Sequence, residues 1–323
     1  MPIDQVVLDA ARAAAGNADA ALKVAALVSE PPDATSAIEL LSTLGEIDLT
    51  VARVVEPHID ALVILREAGL DAPEGIFGVF AAEAPGVALI AEPADGGWRL
   101  SGVKPWCSLA GRVDRALVTA RTPSGRRLFD VDLHDRGVRP SGAPWIARGL
   151  ASVVTTDVEF DDVVATPVGA DDWYLRRPGF AWGGIRVAAG WAGAAHALVE
   201  ALRTKVTAAA SPDPLRSANL GRADVADWTA GLALAHAART IDAASPAVGA
   251  AVDSAAAARL AARTRAVVAD AVEVVLREVG HALGPAPLAF DEDHARRVAD
   301  LTLYVRQHHA ERDLAALGAM VAS

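Results

Sequence analysis

The 323-residue sequence predicts an α+β protein: N-terminal helices, a small antiparallel β-sandwich or barrel in the middle, and a C-terminal four-helix bundle. Three observations carry this expectation. Apolar residues recur at helical spacing up to about Gly75, short alternating runs replace them from Phe77 to Pro167, and Ala-rich helical stretches follow Pro178. The expected division is a helical domain at 1–75, a β domain at 76–170 and a bundle at 171–323.

In the first segment Val6, Leu8, Ala11 and Ala15 recur at near-helical spacing, as do Leu22, Ala25 and Ala26. Pro31-Pro32 stops that pattern, and Asp33 to Ser36 offers capping groups for the next helix. Gly69, Asp71 and Pro73 mark an exit loop. In the middle segment Trp98, Leu100 and Gly102 alternate with Arg99 and Ser101 after the turn at Asp95-Gly96-Gly97. Ala116 to Ala120 reads as a buried strand, followed by the turn Thr122-Pro123-Ser124-Gly125. Leu128 to Leu133 and Thr156 to Phe160 alternate again. Strands this short and this frequent leave no room for crossover helices, so antiparallel pairing is expected.

Four helices are expected beyond Pro178. The first runs from Gly183-Gly184 through Leu202, and Pro212 to Pro214 breaks it. The second covers about Asp224 to Ile241, Pro246 and Gly249 separate it from the third, and the third covers about Ser254 to Val279. The last starts at the acidic cap Asp291-Glu292-Asp293, as the helix dipole prefers, and stops at Gly318. Short loops should pack these helices as a bundle.

Composition narrows the function classes. A net charge of −11 disfavours nucleic acid, whose phosphates need a basic face. The single Cys107 excludes an internal disulfide framework and fits a reducing compartment. The N-terminus lacks the basic-then-apolar pattern of a signal peptide, and charges such as Arg259, Arg263 and Asp270 interrupt the Ala-rich runs, so no membrane span is expected. A soluble cytoplasmic protein is the expectation.

Certain residues stand out for chemistry. Trp106 and Ser108 point to the same side of an extended segment by alternation, while Cys107 points the other way as a small buried hydrophobe. They read either as a binding wall with a polar contact or as a core Trp beside a turn Ser. Val298, Leu301, Val305 and His308 follow three-and-four spacing, which places His308 on the inward stripe of the last helix. An imidazole there can act as a base near neutral pH or can simply hydrogen-bond across the bundle. His308 and Glu311 are three apart, but no second copy of that pair exists to complete a metal site, so no metal is expected. Gly280-His281-Ala282-Leu283-Gly284 reads as the loop between two helices or as a close-approach turn.

Four phrases in order, across roughly residues 76 to 318, resemble the acyl-CoA dehydrogenase family and its related flavin monooxygenases. Leu100-Ser101-Gly102-Val103-Lys104-Pro105-Trp106-Cys107-Ser108 is similar to the strand that leads to the flavin. Phe160-Asp161-Asp162-Val163 with Pro167 resembles the end of the sheet domain, Arg186-Val187-Ala188-Ala189-Gly190 the first bundle helix, and Asp300 to Tyr304 the last.

The resemblance implies FAD held between the sheet domain and the bundle. Trp106 would pack by the isoalloxazine, the Ser108 hydroxyl would contact its N5 edge, and Gly280 and Gly284 would let the ADP part approach backbone. His308 falls where the dehydrogenases keep a Glu base. The implied reaction is α,β-oxidation of an acyl thioester, CoA-linked, with hydride passing to the flavin. Two alternatives stand beside it: a same-fold flavin monooxygenase, and a non-catalytic relative that assembles with a partner. A homodimer or tetramer, or a hetero-oligomer, is implied as well. The sequence departs from the family pattern at Ala82, within Ala82-Glu83-Ala84-Pro85-Gly86-Val87, where a hydroxyl is usual. It departs again at Ala208, where an Arg for the pyrophosphate is usual, and in its short N-terminal domain.

Overall fold

The computed structural model describes residues 3–244 and 253–322, so Pro246 and Gly249 lie outside the described residues. Four helices come first: α1 (Gln5–Ala13), α2 (Ala18–Ala25), α3 (Ala34–Ile47) and α4 (Leu49–Glu67). Asp33 caps α3 by accepting from the Ser36 amide, and Asp48 caps α4 by accepting from the Val51 amide. Pro57 lies inside α4 and has no N–H to offer the carbonyl of Arg53 one turn earlier.

Seven strands follow: β1 (Phe77–Phe80), β2 (Leu89–Ala94), β3 (Gly97–Ser108), β4 (Arg115–Thr122), β5 (Gly125–Asp132), β6 (Val138–Pro140) and β7 (Thr155–Val168). Their order is β1-β4-β2-β3-β7-β5, and β5 also pairs with β4, which closes a small barrel. Most ladders are antiparallel. The pairing β1–β4 is parallel (Phe77 opposite Arg115), as is the single-residue contact Ile90–Arg121 between β2 and β4, so the sheet is mixed at that edge. The alternation seen in the sequence is the pleat: Leu100, Val118, Phe129, Phe160 and Val163 are all buried. The side chain of Lys104 is buried with them. Its Nζ donates to the Thr119 carbonyl and hydroxyl at 2.8 and 2.7 Å, and burial pulls its pKa down to about 8.

The helical remainder comprises a short α5 (Trp173–Arg176), α6 (Pro178–Thr207), α7 (Pro214–Ala244), α8 (Ser254–Leu283), α9 (Ala286–Phe290), α10 (Glu292–Tyr304) and α11 (Glu311–Ala322). Helix α7 begins at Pro214, ten residues before the expected Asp224, because Pro is compatible with a first helical turn. The C-terminal helix expected from Asp291 to Gly318 is in fact two. A 3₁₀ turn (Val305–Gln307) ends α10, His308 is extended at φ −86° and ψ 120°, and Ala310 takes φ 42° before α11 starts.

Helix α6 is the spine. It packs against α7 and α8 on one side and against α3 and α4 on the other. The α3–α6 contact runs through glycines: a Cβ added to Gly193 would lie 1.8 Å from the Ser42 carbonyl oxygen, and one on Gly45 would lie 2.3 Å from that of Gly190. Only glycine permits backbones this close. One core extends through the helices and the barrel. A second cluster joins Ala61, Ile64 and Leu65 of α4 to Phe77, Leu117, Leu128 and Val168 of the sheet.

Candidate functional site

The site is built where the end of β3 meets α4. A register shift between Lys104 and Cys107 interrupts the β3–β7 ladder, and Trp106 lies within it at φ 60°. A bulky residue in the left-handed region is an outlier that the surroundings must hold in place. Trp106 is 63% exposed, so no burial of its indole compensates this conformation. Cys107 points inward and is fully buried, as alternation requires. Its Sγ lies 3.3 Å from the Lys104 carbonyl, and burial pushes the thiol pKa upward.

Ser108 pairs with Thr155 across the ladder, with their hydroxyl oxygens 2.9 Å apart. The Thr155 hydroxyl donates to the Val153 carbonyl at 3.1 Å, so its single proton is spent there. Ser108 therefore donates to Thr155. It also accepts from Nη2 of Arg53 at 3.0 Å. The hydroxyl expected at the flavin N5 edge is thus already held from both sides by the protein. Ser108 also lines a small, partly open cleft of about 20 Å³ together with Arg53, Pro57, Phe77 and Phe80.

Arg53 leads from this surface into a buried seam of charge between α4 and α6. Its Nη1 lies 3.8 Å from Glu56, and its guanidinium lies 5.6 Å from the centre of the Tyr304 ring. Tyr304 donates to Glu56 at 3.5 Å and meets Trp191 edge-on. One turn beyond Glu56, Asp60 accepts from the Arg186 Nε of α6. Near the end of α4, Glu67 accepts from Arg177 at 2.5 Å. Burial first, then the neighbouring Asp60 charge, push the Glu56 carboxyl up to about 8, so at neutral pH it holds its proton. The Nη2 of Arg186 and the indole N–H of Trp191 are buried without a protein partner. Orphaned buried donors of this kind are uncommon and mark places where water or a ligand completes the bonding.

His308 is 8% exposed although it lies beyond α10 rather than on the helical stripe expected for it. Its backbone N–H donates to the Val305 carbonyl, which is the close of the 3₁₀ turn. Burial lowers the imidazole pKa, so it is neutral near pH 7. Arg265 fixes the approach to it by donating to the carbonyls of Gln307 and Gly184 at 3.0 and 2.8 Å, with its guanidinium over the Trp191 ring. Among the described residues no hydrogen bond or ion pair joins His308 to Ser108 or Trp106. The two sides are linked through Arg53, Tyr304, Trp191 and Arg265. Because of the break at Tyr304, His308 and Glu311 do not share a helix.

Gly280 and Gly284 stand apart from this cluster. Gly280 is in the last turn of α8, so the expected loop is helical as far as Leu283, and Gly284 caps the helix at φ 65°. A Cβ at either position would meet nothing within 4 Å. The backbone explains Gly284. The packing of the chain does not require Gly280. Ala82 and Ala208 are exposed, and Glu83 beside Ala82 pairs with Arg126 at 2.6 Å.

Hydrophobic periodicity does not announce the charged seam, yet a signal for it is present. Arg53, Glu56 and Asp60 recur at three-and-four spacing inside the otherwise apolar run Val51 to Leu65, where solvated charge would fall on a separate face.

No protein-family model matches the sequence, and comparison with curated proteins finds no match. Solved structures do match. KijD3 in complex with FMN and dTDP-3-amino-2,3,6-trideoxy-4-keto-3-methyl-D-glucose superposes with a TM-score of 0.83 at 16% identity, over 98% of this chain and 91% of that one. FMN-bound TdsC from Paenibacillus sp. A11-2, a dibenzothiophene monooxygenase, gives 0.82 at 16% identity over 97% and 96%. Butyryl-CoA dehydrogenase from Megasphaera elsdenii gives 0.77 at 18% over 90% and 82%. The chain has the acyl-CoA dehydrogenase fold. Among the described residues no helix is long and apolar enough to cross a membrane.

Proposed function

With the acyl-CoA dehydrogenase fold as premise, we propose that the protein is a flavin-dependent oxidoreductase whose substrate presents polar groups to the α4–α6 seam. The observation that carries the flavin part is the strained, exposed indole of Trp106 beside the Ser108–Thr155 hydroxyl pair. A flat apolar wall next to oriented hydroxyls is what an isoalloxazine edge needs. Trp106 would wall the ring and Ser108 would meet its N5 edge. A bound flavin supplies two-electron redox chemistry and, in its reduced form, reaction with oxygen.

The ring-holding end is formed within this chain, whereas Gly280 and Gly284 offer open backbone where an ADP moiety would lie. FAD and FMN are therefore both candidates, and KijD3 and TdsC bind FMN. Glu56, Asp60, Arg53 and Arg186 line the interior next to the site. Buried charge is a poor bed for a hydrocarbon chain, because each ion needs a polar partner. This favours oxygenation of a polar substrate, the monooxygenase reading, over oxidation of an acyl thioester such as an acyl-CoA.

One observation keeps the thioester reading in play. His308 is buried and neutral near pH 7, as a base that takes an α-proton must be. Assembly as a homodimer, a tetramer or a hetero-oligomer would bring a second chain to the open glycines. A non-catalytic assembly role draws on Ala82 and Ala208.

Titration of the purified protein with oxidised and reduced FMN and FAD, followed by flavin fluorescence and absorbance, tests the proposal. The expected result is saturable binding of at least one flavin, with oxygen consumed when the flavin is supplied reduced. Absence of binding to all four forms overturns the enzymatic reading and leaves assembly.

A further inference from the structure

Arg53 occupies an unusual position. It projects from α4, its side chain is largely buried, and it donates directly to the hydroxyl assigned to the flavin edge. The Tyr304 ring face and Glu56 hold the guanidinium in place from behind. The surrounding charges do not cancel it. Asp60 is matched by Arg186, and Glu67 by Arg177. That leaves Glu56 as the carboxyl nearest Arg53, and its burial keeps it protonated at neutral pH. A net positive charge is therefore fixed behind Ser108, on a side chain that is largely buried.

We propose that Arg53 is a cofactor-tuning residue: its guanidinium, aimed through Ser108, favours the reduced flavin by stabilising the negative charge the ring system gains on reduction. The inference rests on the flavin reading above and deepens it by naming the group that sets how readily the flavin accepts electrons. Charge placed near the ring's reactive edge is one of the levers by which a protein tunes a flavin. Arg53 makes the better lever because its planar fork can bond Ser108 while facing Glu56.

The test equilibrates the FMN-loaded protein with an indicator dye of known potential and reads the ratio of reduced to oxidised flavin from the absorption spectrum. At a fixed dye ratio, Arg53→Gln should lower that ratio about tenfold or more, while Arg53→Lys, which keeps the charge, should lower it less than threefold. An unchanged ratio in Arg53→Gln overturns the proposal while the flavin reading stands. A wild-type protein that takes up no flavin overturns both.

A second comparison does not depend on Arg53→Gln folding. Glu56 faces Asp60 on its own helix, Tyr174 of α5, Arg186 of α6, Tyr304 of α10 and Arg265 of α8, and its burial raises its pKa to about 8. Between pH 7 and 9.5 the wild-type ratio should fall below that of Glu56→Gln as Glu56 ionises and neutralises Arg53. Parallel curves for the two proteins would also overturn the proposal.

Discussion

The two ends of the proposed flavin site are built in opposite ways. At the end proposed for the ring, Ser108 is bonded on both sides and Arg53 is fixed by Tyr304 and Glu56. At the end proposed for the nucleotide, a Cβ on Gly280 or Gly284 would meet no atom of the described residues within 4 Å. If the flavin reading holds, the contrast means that the single chain would specify the surroundings of the ring but not the seat of a nucleotide tail. Substitutions at the first end should therefore disturb folding and cofactor together, and substitutions at the second should disturb the cofactor alone.

The sharpest way to break this contrast is Asp60→Ala. It leaves the Arg186 guanidinium buried without its carboxylate, and loss of one partner of a buried pair costs about 3–5 kcal/mol. Urea denaturation should show that loss in the midpoint. A change below about 1 kcal/mol would mean that the seam is wet and the ring end as open as the other.

Glu56→Gln should be milder and dependent on pH. The folded pKa of Glu56, about 8, lies above the ordinary carboxylate value of 4.5, so the folded state binds more protons than the unfolded one between those limits. Stability attributable to Glu56 is full below about pH 4.5 and is lost as pH rises towards 8. Denaturation midpoints measured from pH 5 to 9 should fall less steeply for Glu56→Gln than for wild type. Equal slopes would place Glu56 in contact with solvent.

The smallest effect is expected at Gly280→Ala. An exposed Gly in a helix interior costs roughly 0.5–1 kcal/mol relative to Ala, so the thermal midpoint should rise slightly. If a nucleotide tail approaches this backbone, FAD affinity should drop while FMN affinity holds. Equal affinities for both flavins, before and after the change, would assign Gly280 to no cofactor.

Much of this architecture was legible in the sequence, because period-two runs with intervening turns fit little besides short paired strands. Ala116 to Ala120 falls on β4, the run Leu128 to Leu133 falls on β5 except for its last residue, and the Asp33 and Asp291 caps sit where the helices begin. The break after Tyr304 was hidden because Val305 continues the apolar spacing and no Gly or Pro announces the left-handed Ala310. Nor does spacing reveal barrel closure, which depends on β5 meeting both β4 and β7 far along the chain. The phrase that singles out Trp106 and Ser108 gives no sign of the backbone outlier at Trp106, since alternation treats an extended strand as uninterrupted.

The glycine contact between α3 and α6 bears on how the molecule can breathe. Gly45 and Gly193 are set against carbonyl oxygens of the facing helix, with no space for a Cβ between the two rods. The N-terminal helices thereby meet the bundle backbone to backbone, and any side chain larger than a hydrogen at either glycine would have to push the two rods apart.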